Sequence, residues 1–201
     1  MNIELREERI SDYLETEYLT REAFWDVYKP GCDEHLVVHQ LRQSKAFVRE
    51  LDYVACDNER IVGNIVYSKA IVTSSNDESE VLCMGPLCVS PSYQRKGLGS
   101  LLLQSTIKIA KGLGYAAVII FGNPAYYHRF GFKNAKEYNI QTAEGQNFDA
   151  FMVLDLSDDG LSKISGKFFA DEAFQIDKKN LEKFELNFPY KEKHKKEGQL
   201  E

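Results

Sequence analysis

The chain has 201 residues, 43% of them hydrophobic and 28% charged, with a formal net charge of −6. Those proportions suit one globular domain with a sizeable core, and the acidic balance argues against a nucleic-acid partner held by phosphate neutralisation. No apolar run approaches the roughly 20 residues needed to span a bilayer, and the acidic start lacks the regions of a secretion signal, so a cytoplasmic protein without membrane association is expected.

Taken in chain order, Ile3 and Leu5 alternate with polar neighbours and predict a strand over Asn2 to Glu7. Asp12 followed by Glu15 predicts a capping box, and Leu19, Ala23 and Val27 recur at helical spacing until Pro30-Gly31. A second short helix is predicted over Asp33 to Gln43, with Leu36, Val37 and Leu41 inward. Strands follow around Leu51 to Ala55, over Ile61 to Val72 and over Val81 to Val89, separated by a turn at Asp57 to Arg60 and a loop from Ser74 to Glu80. Their short connections predict an antiparallel meander.

The pattern then changes. Leu102, Thr106, Ile109 and Leu113 share one helical face, with Leu103, Ile107 and Ala110 beside it and Gly112 and Gly114 as the stop. The apolar run Ala116 to Phe121 suits a strand buried on both faces, and strand, helix, strand at this spacing predicts a parallel pair. Pro124 fits the first position of a further helix, capped by Asn123 and closed by Gly131. Asn139 to Glu144 and Asp149 to Leu156 are predicted as a final pair of strands. Beyond Gly160, Phe168, Phe169, Phe174, Ile176, Phe184, Leu186 and Phe188 are too apolar for a disordered tail, whereas Lys191 to Glu197 reads as a solvated end. Leu200-Glu201 is open to being a cloning remnant.

Cys32, Cys56, Cys83 and Cys88 form no C-x-x-C pair and are expected to be reduced, buried thiols. His35 and His39 are four apart, yet no third ligand accompanies them, so no metal is expected.

The most informative stretch is Gly85-Pro86-Leu87-Cys88-Val89-Ser90-Pro91-Ser92-Tyr93-Gln94-Arg95-Lys96-Gly97-Leu98-Gly99-Ser100. It leads from a strand through a glycine-containing turn into a long amphipathic helix. The first turn of a helix leaves N–H groups without internal partners, and the helix dipole adds partial positive charge there. Gly97 and Gly99 let the backbone approach an anion closely, and Arg95 and Lys96 add charge. The combination describes a pyrophosphate cradle. A Walker loop is absent, Leu102 stands where a dinucleotide fingerprint wants its third small residue, and Gly112-Leu113-Gly114 joins helix to strand, the wrong order.

Gln94-Arg95-Lys96-Gly97-Leu98-Gly99 resembles the [QR]-x-x-G-x-[GA] loop of the GNAT superfamily of acyl-CoA N-acyltransferases. Leu87-Cys88-Val89-x-Pro91 is similar to that family's bulged strand, and Tyr127-x-x-x-Gly131-Phe132 to its tyrosine helix. The resemblance runs from residue 2 to about 156. It implies an α/β (α+β) fold with a mixed, mostly antiparallel central sheet, a parallel pair splayed at the acetyl-CoA site, and helices on both faces. Residues 1–156 would form the acetyltransferase domain, and 157–201 an extension packing on it with flexible last residues.

The resemblance further implies that the amides of Gln94, Arg95, Lys96, Gly97, Leu98, Gly99 and Ser100 hold the pyrophosphate of acetyl-CoA. Main-chain groups of Leu87, Cys88 and Val89 would pair with the pantetheine arm, one N–H polarising the thioester carbonyl. Tyr127 takes the position of the family's general acid; a phenol with a pKa of ~10 stays protonated at neutral pH. The family often has its Asn about a turn further before the tyrosine than Asn123, so a cofactor contact and a plain helix cap are both open to Asn123. Glu34 is the candidate general base, acting through water, with Asp33 and His35 as competitors. Asp33 and Glu34 also suit the helix dipole as ordinary first-turn charges. A covalent route through Cys88 can be drawn, but direct attack does not need it.

The expected activity is transfer of an acetyl group from acetyl-CoA to a primary amine, on a small molecule or a peptide. A non-catalytic acyl-CoA-binding regulatory module and an enzyme for longer acyl chains are the competing readings. Acceptor and oligomeric state are not legible, and a homodimer is left open.

Overall fold

The computed structural model describes residues 2–75, 77–157 and 161–199; Gly160 and Leu200-Glu201 lie outside them, as does Asn76 of the expected loop. The described chain is a mixed α/β protein with a mostly antiparallel sheet and helices around it. It divides into two compact units, one of Met1–Val66, Pro86–Leu103 and Glu172–Glu201, the other of Tyr67–Gly85 and Gln104–Asp171. Among the described residues no helix is long and apolar enough to cross a membrane.

In the first unit, strand β1 (Ile3–Glu7) pairs antiparallel with β2 (Tyr53–Asp57), and β2 with the start of β3 (Arg60–Thr73). Helices α1 (Tyr13–Phe24) and α2 (Glu34–Leu41) pack together. Two clusters fill the unit: Leu19, Val54, Cys56, Ile61 and Cys88, and Val37, Val38, Leu41, Val66 and Ala173.

Two expectations for α1 are corrected. Asp12 does not cap it through its side chain; that carboxylate takes the Arg9 N–H at 2.8 Å and the Arg6 guanidinium at 2.6 Å. Glu15 instead accepts the Ile61 N–H at 3.2 Å, so the expected capping box is absent. The helix also stops at Phe24, before Val27, because Asp26 turns the chain with φ of +58°.

Asp26 is buried and takes the Gly31 N–H at 2.7 Å, closing the turn between α1 and α2. The C-terminal segment straps this turn. It includes α5 (Lys178–Glu185), whose Glu185 receives Nε and Nη2 of Arg21 at 3.1 and 2.8 Å. Trp25 Nε1 donates to the Glu192 carbonyl at 2.9 Å, and the His194 N–H donates to Asp26 at 3.1 Å.

In the second unit, the part of β4 (Glu78–Val89) up to Gly85 pairs parallel with β5 (Ala117–Phe121), β5 antiparallel with β8 (Phe151–Asp155), and β8 antiparallel with β6 (Lys133–Asn134). Strand β9 (Gly166–Phe169) pairs antiparallel with the end of β3 and parallel with β7 (Ile140–Thr142). The expected final pair is therefore corrected, since β7 and β8 are not partners. Strand β8 is buried on successive residues, as a central strand must be, and takes β5 and β6 as its neighbours. Strand β7 alternates buried and exposed, and the chain after it folds on itself, with Thr142 and Gln146 bonded at 3.0 Å.

The registered pairing of β4 with β5 covers only Leu82 with Val118 and Cys83 with Ile119. Strand β4 runs on to Val89 without it. Helix α3 (Leu98–Gly112) buries Leu102, Leu103, Thr106 and Ala110, a stripe shifted from the expected one; Leu113 lies past its end and is 48% exposed. Thr106 is tolerated on that stripe because its hydroxyl meets the Tyr67 hydroxyl at 2.8 Å.

Candidate active site

In the first unit the expected cradle is a compact turn from strand β4 into helix α3. Arg95 and Gly97 both take left-handed backbone, at φ +60° and +88°. Glycine adopts this without penalty, whereas a side chain at Arg95 costs on the order of 1 kcal/mol, strain of the kind that gathers at binding loops. The Gln94 side chain reaches back to the Val89 carbonyl at 3.1 Å, and Lys96 Nζ donates to the Ser92 carbonyl at 2.8 Å. These two side chains fasten the turn, while the Arg95 side chain is exposed.

The first hydrogen bond of α3 runs from the Leu101 N–H to the Gly97 carbonyl at 3.0 Å. No acceptor among the described residues takes the N–H groups of Leu98, Gly99 and Ser100. Three donors therefore stand at the positive end of a 15-residue helix. A Cβ placed on Gly97 would meet nothing within 4 Å, so the turn faces open space at this position and no protein atom blocks an anion there. Leu98, although in the motif, is 4% exposed and anchors the helix in the core; only its amide is offered.

Just before the turn, Ser90 N–H bonds the Val62 carbonyl of β3 at 2.9 Å. Alternation along the strand turns the main-chain groups of Cys88 to the same side and those of Leu87 and Val89 to the opposite edge. Leu87 and Val89 are half-buried. The Cys88 side chain points into the core, where Sγ lies 3.4 Å from Thr20 Oγ1, and burial raises its thiol to about 11.

The three base candidates separate clearly. Asp33 pairs with Lys29 one turn away. His35 is fully buried against Phe184, Phe188 and Glu185, and burial lowers its pKa to about 4. Glu34 is half-buried, accepts the Asp33 N–H at 3.1 Å, and has its carboxyl raised by burial. A carboxyl lifted in this way is better matched to removing a proton near neutrality than an exposed one. His39 spends its nitrogens on Glu17 at 2.9 Å and Gln43 at 2.8 Å. Among the described residues no group of three or more acidic, His or Cys side chains could hold a metal ion.

In the second unit, helix α4 (Pro124–Tyr127) opens on Asn123, whose Oδ1 accepts the Ala125 N–H at 2.9 Å. Asn123 thus caps this helix, as its position before Pro124 predicted. The chain continues through a single 3-10 turn to Gly131 at φ +89°. The half-buried Tyr127 ring packs against Tyr126 and Phe132, with centroids 4.9 and 5.5 Å away, and lies across Gly122. Sequence reasoning passed over Gly122, Thr20 and the Arg21–Glu185 pair. A lone glycine after a strand carries no motif, and the other contacts join residues far apart in sequence.

The acetyltransferase (GNAT) domain profile matches residues 49–134. The chain is 32% identical over 134 residues to the N-acetyltransferase YhbS of Escherichia coli K12, spanning 66% of this chain and 78% of that protein. The crystal structure of Escherichia coli YhbS in complex with CoA superposes with a TM-score of 0.77 at 28% identity, covering 87% of this chain and 92% of that one. A GNAT family acetyltransferase from Brucella melitensis in complex with acetyl-CoA gives 0.70 at 26% identity, covering 87% and 99%. Cradle, fold and relatives agree: the chain belongs to the GNAT family of N-acetyltransferases and is an acyltransferase.

Proposed function

We propose that the chain transfers the acetyl group of acetyl-CoA to a primary amine by direct attack. The observation that carries this reading is the set of unpartnered amides at Leu98 to Ser100, opened by left-handed Arg95 and Gly97. They suit the diphosphate of a coenzyme A thioester in charge and in shape. The CoA complex of YhbS and the acetyl-CoA complex of the Brucella protein support the same ligand here.

Acetyl-CoA supplies the activated acyl carbon. A main-chain N–H of Leu87 or Val89, on the strand edge away from β3, polarises the thioester carbonyl, where negative charge grows as the amine attacks. Cys88, expected to share this contact, has its main-chain groups turned to β3 instead. The new C–N bond forms as the C–S bond breaks. Glu34 accepts the ammonium proton through water before attack, Tyr127 donates its phenolic proton to the departing sulfur, and the proton the nitrogen sheds as the amide forms returns through water to the Tyr127 oxygen. Cys88 takes no part, being buried with a raised thiol. The acceptor is a small-molecule or peptide amine, and the four free, buried cysteines suit a cytoplasmic setting.

The test is calorimetry with acetyl-CoA together with thiol release measured against a panel of amines. Micromolar uptake with release that depends on the amine is expected. Uptake without release from any amine would favour the binding-module reading, and absence of uptake overturns both. For the base, Glu34→Gln should lower kcat/KM and abolish the acidic limb of its pH profile.

A further inference from the structure

We propose that Gly122 is a positioning residue for the acid step, its missing side chain being the seat of the Tyr127 ring. The inference rests on the assignment of Tyr127 as acid. Glycine at 122 is not demanded by the backbone. Its φ is not among the positive values, and its N–H bonds the Ala150 carbonyl at 2.9 Å, continuing the line of β5. Space demands it instead. A Cβ there would stand 2.8 Å from Cδ2 of Tyr127, 3.3 Å from Cζ, and closer still to Cε2. Carbon atoms settle at roughly 3.5–4.0 Å.

The ring cannot give way at one atom. It is planar, so it must move as a body by about 1 Å to restore ordinary separations. Its backbone is pinned at both ends, by the Asn123 cap and Pro124 before it and by left-handed Gly131 after it. Phe132, 2% exposed, also packs on the ring in an edge-on contact with its centroid 5.5 Å away. What remains is rotation about the side-chain torsions, and the hydroxyl, farthest from the pivot, moves most. A displacement of this size from reacting atoms costs on the order of 100-fold in rate. The whole contribution of a general acid is about 10²- to 10⁴-fold.

The experiment is a double-mutant cycle read in both turnover and thermal stability. Gly122→Ala should lower kcat by about 10- to 100-fold while the Kd for CoA stays within about two-fold. Tyr127→Phe should lower kcat by about 100-fold, and adding Gly122→Ala to it should change kcat no further. Phenylalanine keeps the clashing carbons, so the fall in Tm caused by Gly122→Ala should persist in the Tyr127→Phe background and vanish in Tyr127→Ala. A kcat loss of equal size in the Tyr127→Phe background, or Gly122→Ala with unchanged turnover and Tm, overturns the proposal. Tyr127→Phe at full turnover removes the acid assignment and the positioning role with it, while the Tm cycle separately reports whether the ring occupies the seat. Should Gly122→Ala not fold, Tyr127→Ala must rescue it, and failure of that rescue is equally fatal.

Discussion

Replacing Gly97 by Asp and, separately, by Asn isolates the charge term of the cradle. Both side chains impose the same change on a residue at φ +88°. Asn and Asp are the residues that tolerate left-handed backbone best after glycine, so each should cost folding about 1 kcal/mol. That strain is present with and without ligand and cancels in the binding free energy. Neither side chain meets protein at its Cβ, where nothing lies within 4 Å. Steric intrusion on a bound anion is therefore closely matched, and the carboxylate charge is what differs. Two charges about 5 Å apart repel by about 1.7–3.3 kcal/mol at effective dielectric constants of roughly 20–40. The Asp variant should bind CoA about 15- to 250-fold more weakly than the Asn variant. Titration calorimetry at low salt, repeated near 0.5 M, is the assay. The gap should narrow at high salt, because the loop is exposed and its field is screened. Equal affinities for Asp, Asn and wild type would refute the reasoning, since no diphosphate would then lie against these amides.

Three further outcomes follow from buried groups. Asp52 is 2% exposed, and burial, then its contact with Glu8, raises its carboxyl to about 9. Because that value lies above the unfolded one near 3.9, the folded state keeps a proton the unfolded chain has released. Stability should fall as pH rises from about 4 towards 9, by at most ~1.4 kcal/mol per unit. Asp52→Asn should flatten that slope in urea melts at pH 5 and 8, and an unaltered slope would count against it. Arg21→Met takes the buried guanidinium from Glu185, leaving it, among the described residues, only His35 at 2.8 Å, and removes a cation 4.1 Å over Trp25. A loss of about 3–5 kcal/mol and a Tm lower by about 10 °C are expected, and a fall under about 2 °C would show the strap to be idle. Cys88→Ala should keep turnover within a few-fold, whereas a loss above about 100-fold would revive the covalent route.

Parts of the molecule were legible because their signals are local. The alternation at Ile3 and Leu5, the continuous apolar run into Phe121 and the cap at Asn123-Pro124 each depend on near neighbours in sequence, and the corresponding elements are present. The strap was only half legible. Phe184 and Phe188 announced burial, but nothing in their neighbourhood pointed to His35 as the surface they cover. The partners of β7 and β8 were misjudged for the same reason. Proximity in sequence suggested a pair, while burial of every residue from Phe151 to Leu154 required neighbours on both sides, supplied by β5 and β6.

Gly97 and Gly122 show where that boundary falls. Gly97 is needed for its torsion angle, which a turn between strand and helix imposes, and such turns leave a motif that can be recognised in one sequence. Gly122 has an ordinary backbone and is needed only because a ring five residues later lies where its side chain would be. A steric exclusion leaves no pattern in one sequence, since glycine, alanine or serine would serve the strand equally well. Torsional and steric glycines also differ in what repairs them. No second substitution should relieve the strain of a side chain at Gly97, whereas shrinking Tyr127 should relieve the crowding at Gly122. If stability lost at position 97 could be restored by trimming a neighbouring side chain, the torsional account of the cradle would be wrong, and its glycine would be a space-filling choice like the other.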